Sequence, residues 1–89
     1  MTTLNAEQKE ELRHAALAAL AVRAPAALAP RQLVSAVKRE VPFLFEEADL
    51  VAACEVLKGL GLAESVTDEL GSTQYWRATA NGVLHTERG

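Results

Sequence analysis

The stretch "DLVAACEVLKGLGLAES", residues 49 to 65, changes its periodicity in mid-run. Leu50, Cys54 and Leu57 fall at i, i+4 and i+7, the spacing of one face of a helix. Gly59 and Gly61 follow, and glycine suits the left-handed position that ends a helix. "LAESV" (62–66) then reads as a strand, and "TQYWRAT" (73–79) as a second strand. Between them "TDELGS" has hairpin-loop chemistry, with Asp68 and Gly71 suited to turn conformations. A helix that runs straight into a hairpin puts the chain in the α+β class, mainly α.

The text upstream of that switch is helical. Asn5 is a good N-cap, and Gln8 three residues later completes a capping box. The first helix is predicted over about 5–22, with Leu12, Ala16, Ala19 and Leu20 on one face and Glu7, Glu10 and Glu11 where the helix dipole favours negative charge. Pro25 closes that segment. A second helix is predicted over about 30–41, opened by Pro30, buried through Leu33, Val34, Val37 and Val41, and stopped by Pro42. "PFLF" (42–45) is an apolar connection in which one Phe staples the next helix and the other faces outward. The third helix is predicted over about 46–58 and the hairpin over 62–79. A short last helix over 80–88 is capped by Thr79 and packed through Val83 and Leu84. With 89 residues, the expectation is one domain over 1–89, burying roughly 60–65% of the surface its unfolded chain exposes. Phe43, Phe45, Tyr75 and Trp76 are the only aromatic residues, so the core must be mostly Leu, Val and Ala. Of the Tyr75–Trp76 pair, one packs inward.

Catalytic chemistry has little to build on. Cys54 is the single cysteine and lies on the core stripe of the third helix, while His14 and His85 stand near opposite ends of the chain. No nucleophile is paired with a base, no Cys/His group has metal-ligand spacing, and no glycine-rich phosphate loop is present. The expectation is a non-enzyme without metal or cofactor. The alanine-rich run from Ala15 to Ala29 is interrupted by Arg23 and Pro25 and is too short to span a bilayer, so the chain reads as cytoplasmic.

The order helix, helix, helix, hairpin, helix is that of a winged helix-turn-helix domain: a three-helix core, a two-stranded β-hairpin wing and a short C-terminal helix. "LAPRQLVSAV" (28–37) resembles the second helix of regulators of the MarR and PadR type. "VLKGLGLAES" (56–65) resembles their passage from recognition helix to wing. "YWRATANGVLHTER" (75–88) resembles the wing's return strand and the Thr-x-x-Gly start of the following helix. The resemblance implies a transcription-regulating module whose third helix and wing face DNA.

Charge pulls the other way. Residues 46–79 hold seven acids against two bases, Lys58 and Arg77, a net of −5, whereas the rest of the chain has five acids and seven bases, a net of +2. The positions that face DNA in the family fall near Ala48, Asp49, Val51, Ala52, Glu55 and Val56. None of these is Arg, Lys, Asn or Gln. The wing tip carries Asp68 and Glu69. On charge, the first expectation is a regulatory or adaptor module that meets another protein through Asp49, Val51, Ala52, Glu55 and Val56. Arg31, Lys38 and Arg39 on the second helix would be contacts for phosphates or an acidic partner. The alternative is a DNA-binding transcriptional regulator using the third helix and wing.

Overall fold

A computed structural model describes residues 3–68, 70, 71 and 73–88. Its elements run α1 (Ala6–Val22), α2 (Pro30–Val37), α3 (Glu47–Gly59), β1 (Ala63–Thr67), β2 (Gln74–Ala78) and α4 (Ala80–Glu87). This is the winged-helix order, mainly α, with an antiparallel two-stranded wing. Glu69, expected at the wing tip, lies outside the described residues.

The local signals act where the chemistry places them. Asn5 Oδ1 accepts from the Gln8 N–H at 2.8 Å while Gln8 Oε1 accepts from the Asn5 N–H at 3.1 Å, so α1 opens on a complete capping box. At the end of α3 only Gly61 takes the left-handed conformation, with φ +75°. Its N–H donates to Lys58 O at 3.0 Å and the Leu62 N–H donates to Leu57 O at 2.9 Å, a Schellman closure that turns the chain into β1. Thr79 Oγ1 accepts from the Gly82 N–H at 3.0 Å and caps α4.

Leu12, Leu20, Leu33, Val37, Leu50, Cys54 and Trp76 form the fully buried centre. Trp76 is thus the inward member of the aromatic pair, and Tyr75 is only half-buried. Among the described residues no polar or charged side chain is counted in this core. None of the described helices is long and apolar enough to cross a membrane.

Three local expectations are corrected. First, α2 stops at Val37, four residues short. The Glu40 N–H turns back to Val37 O at 2.8 Å, and Val41, which precedes Pro42, is disfavoured in a helical conformation but still tucks into the core. Second, Phe43 and Phe45 both pack against the core and Leu44 is the outward residue of the connection. Third, α4 packs through Val83 and through Gly82, while Leu84 is exposed.

The structure also adds a link absent from the local text. Leu28 and Trp76 exchange both backbone hydrogen bonds, Leu28 N–H to Trp76 O at 2.7 Å and Trp76 N–H to Leu28 O at 2.8 Å. This one-residue bridge lays the segment between α1 and α2 along the outer edge of β2.

Candidate nucleic-acid interface

Residues 23–39 contain four bases and no acid. Arg31 and Ser35, one helical turn apart, share a face of α2. The Leu28–Trp76 bridge brings β2 alongside, so that Arg31, Gln32, Ser35 and Tyr75 line one open concavity of about 490 Å³. Gln32 Oε1 accepts from the Ala29 N–H at 2.9 Å, and Ser35 Oγ donates to Arg31 O at 3.3 Å, so both side chains are partly committed to shaping the start of α2. Arg31 and Lys38 are exposed and have no ion-pair partner among the described residues. Gln32 is absent from the contacts read from the sequence, and Tyr75, readable there as a residue able to stack on bases, is not placed beside Arg31. Tyr75 joins Arg31 through a single long-range backbone bridge, which leaves no periodic signal.

The expected trio of bases is not one patch. Arg39 follows the helix in the turn and lines a different concavity, walled by alanines of α1 and α2, together with Arg23 and Glu40. The early end of α2 at Val37 removes Arg39 from the helical register it was assigned. Arg31 remains with Tyr75, and Lys38 caps the same helix.

The five residues expected to form a partner surface on α3 are also divided. Asp49, Ala52 and Val56 line a shallow groove of about 210 Å³ against the start of α1, which brings Lys9 and Arg13 to the same groove. Asp49 is occupied structurally, since its Oδ2 accepts from the Glu46 N–H at 2.8 Å at the head of the helix. Val51 packs against the core. Glu55 is exposed, as are Glu46, Glu47, Ala48 and Ala52.

In the wing, Ala63, Ser65 and Thr67 pair with Ala78, Trp76 and Gln74, while Glu64 and Val66 pair with Arg77 and Tyr75. Alternation puts the first set on the face with buried Trp76 and the second on the opposite face. On that opposite face the Arg77 guanidinium is ion-paired with the Glu64 carboxylate. Lys58, the other base of this half of the chain, donates to Ser65 Oγ at 3.3 Å.

Cys54 is fully buried, and burial, followed by the carboxylate of Glu55, pushes its thiol up to about 12 from an ordinary 9.0. With the folded value above the unfolded one, its contribution to stability is complete below pH 9 and fades as pH rises toward 12. We expect the urea midpoint of the parent to fall more steeply above pH 9 than that of Cys54→Ala. We also expect thiol reagents at pH 8 to label the native chain far more slowly than the unfolded one. Equal labelling rates in the two states would contradict a buried thiol.

No family model and no curated protein matches the sequence. Solved structures do match in shape. Lactococcus lactis ZitR, as a mutant in apo form, superposes with a TM-score of 0.70 at 18% identity, over 93% of this chain and 57% of that one. A MepR mutant from a multidrug resistant clinical isolate of S. aureus gives a TM-score of 0.70 at 15% identity, over 91% of this chain and 59% of that one. The PcaV transcriptional regulator from Streptomyces coelicolor, in complex with its natural ligand, gives 0.66 at 18% identity, over 99% and 74%. The chain therefore spans under three-fifths of the length of the first two. The likeness is one of fold: a winged helix-turn-helix domain resembling regulators of the MarR type.

Proposed function

We propose that the chain is a non-catalytic, DNA-contacting module of a cytoplasmic transcriptional regulator. Support comes from the acid-free α2, whose Arg31 stands without an ion-pair partner among the described residues on an open concavity shared with Ser35 and Tyr75. Arg31 and Lys38 supply the phosphate contacts that position a duplex, and the Tyr75 hydroxyl is a further donor. The one cationic donor on the outward side of α3 is Lys58, in the last turn and hydrogen-bonded to Ser65, but the rest of that face is not mute. A carboxylate accepts from the amino group of cytosine and an alanine packs on the methyl of thymine, so Glu55 and Ala52 suit shallow readout better than tight binding.

The expected result is salt-sensitive binding of a duplex. Each phosphate contact contributes about 0.9 to the slope of log affinity against log salt, so replacing Arg31 and Lys38 by Gln should weaken binding strongly and lower that slope by about 2. Fluorescence anisotropy with a labelled duplex at several salt concentrations measures both. A chain that shows no duplex binding at low salt would remove this reading. The exposed carboxylates of α3 and the part-exposed Val56 favour a second one, docking of another protein on α3. In that case the adaptor role would take first place. Arg31 and Lys38 variants that bind as well as the parent would instead move the contact to α3.

A further inference from the structure

Tyr75 and Arg77 lie on the same face of β2, two residues and about 7 Å apart along the strand. Tyr75 also lines the α2 concavity with Arg31. One surface thus runs from Arg31 across Tyr75 to Arg77, with a cation at either end and an aromatic hydroxyl between them. Only one of the two cations is uncommitted. Arg31 has no ion-pair partner among the described residues, whereas Arg77 is held by Glu64, its direct cross-strand neighbour. Both side chains of that pair are a little under half exposed, at 42% and 46%, so the pair is within reach of solvent.

Resting on the DNA reading, we propose that Arg77 is a phosphate-binding residue of the wing held in reserve by Glu64. The phosphate backbone of a duplex then crosses the outer face of α2 and the wing, gripped by Arg31 at one end and contested at the other. The chemistry is direct competition. A carboxylate and a phosphate oxygen both accept from the same guanidinium fork, and the fork cannot serve both in full. A half-exposed ion pair of this kind is weak enough for a phosphate arriving with the rest of the duplex to compete with Glu64. The acidic wing in this view sets affinity low by occupying its own arginine, in addition to repelling the duplex at a distance.

The test is a double-mutant cycle on the intact chain. Glu64→Gln should tighten duplex binding about two- to fivefold at low salt and steepen the salt slope by up to about one contact. Arg77→Gln should weaken the parent, because it removes a contested phosphate contact and leaves the Glu64 carboxylate unpaired. Glu64→Gln should gain less in the Arg77→Gln background than in the parent, because part of its gain is routed through Arg77. Glu7→Gln, an equal change in net charge on α1, serves as control and should shift affinity by less than twofold. A gain from Glu64→Gln that is undiminished in the Arg77→Gln background, or that Glu7→Gln reproduces, would overturn the proposal in favour of bulk charge. A second readout needs no DNA. The Arg77 Nε–H resonance should move in Glu64→Gln, and inorganic pyrophosphate should perturb it at lower concentration there than in the parent. If pyrophosphate acts on parent and variant alike, Glu64 does not gate Arg77, whatever DNA does. If the pyrophosphate response appears while no variant binds a duplex, the gate stands and the DNA reading falls.

Discussion

Replacing Gly82 by alanine should cost about 2–4 kcal/mol of stability, a large share of what a domain this size possesses. A β-carbon at this position would lie 2.0 Å from Leu62 O, 3.0 Å from Leu62 C and 3.2 Å from Leu17 Cδ1. Two of those atoms are backbone and cannot swing aside. The same turn is tied down from both sides: the Thr79 N–H donates to Leu62 O at 3.1 Å and Thr79 Oγ1 donates to Gly61 O at 2.7 Å. Relief therefore requires α4 to lift from the α3–β1 turn, uncovering Leu17 and Leu62. The melting temperature should fall by roughly 10–30 °C, scaling the loss by the entropy of unfolding of a chain this long. A variant melting within a few degrees of the parent would show that α4 does not approach Leu62 as closely as described. Alanine at exposed Asn81, the preceding residue of the helix, is the control and should cost little.

Trp76→Ala should be comparably severe, at about 3–5 kcal/mol, because it empties the largest fully buried side chain of the core. Trp76→Phe should cost much less than its loss of volume suggests. The indole Nε1–H is buried without a hydrogen-bond partner, and removing an unpaired donor returns part of the desolvation penalty it carries. Urea unfolding of the two variants checks this. A phenylalanine variant as unstable as the alanine variant would mean that the indole N–H is satisfied in solution, most simply by water.

What the sequence discloses follows the range over which each signal acts. The Asn5–Gln8 capping box, the Gly61 closure of α3 and the Thr79 cap of α4 are interactions within a few residues, and all three stand where the text puts them. The Thr-x-x-Gly pattern of 79–82 is visible as well, but its reason is not: Gly82 is required by Leu62, twenty residues away, a relation that exists only after the chain has folded back. The end of α2 is misplaced in the sequence because Val41 keeps the helical spacing of buried residues after the helix has stopped. A residue can reach the core from a turn as well as from a helix. The site suffers most. The five α3 residues divide between a groove, the core and solvent, and of the three bases Arg31 and Arg39 line different concavities while Lys38 sits at the helix end. A stretch of charge in the text does not say which side of a short helix each member takes. Tyr75 beside Arg31 is illegible for the same reason as Gly82, since a single pair of backbone hydrogen bonds puts it there.

That pair of hydrogen bonds, between Leu28 and Trp76, also bears on how the wing moves. In a hairpin joined to its domain only through its two ends, the strands swing as a flap. Here β2 is fastened to the segment that immediately precedes α2, and the fastening residue Trp76 is itself anchored in the core. The head of α2 and the root of the wing should therefore move together rather than independently. The amides of Leu28 and Trp76 should exchange with solvent as slowly as those of the helix interiors. A molecule spanning Arg31 and Tyr75 meets a surface whose spacing was fixed before it arrived, with no ordering of that seam left to be done on association.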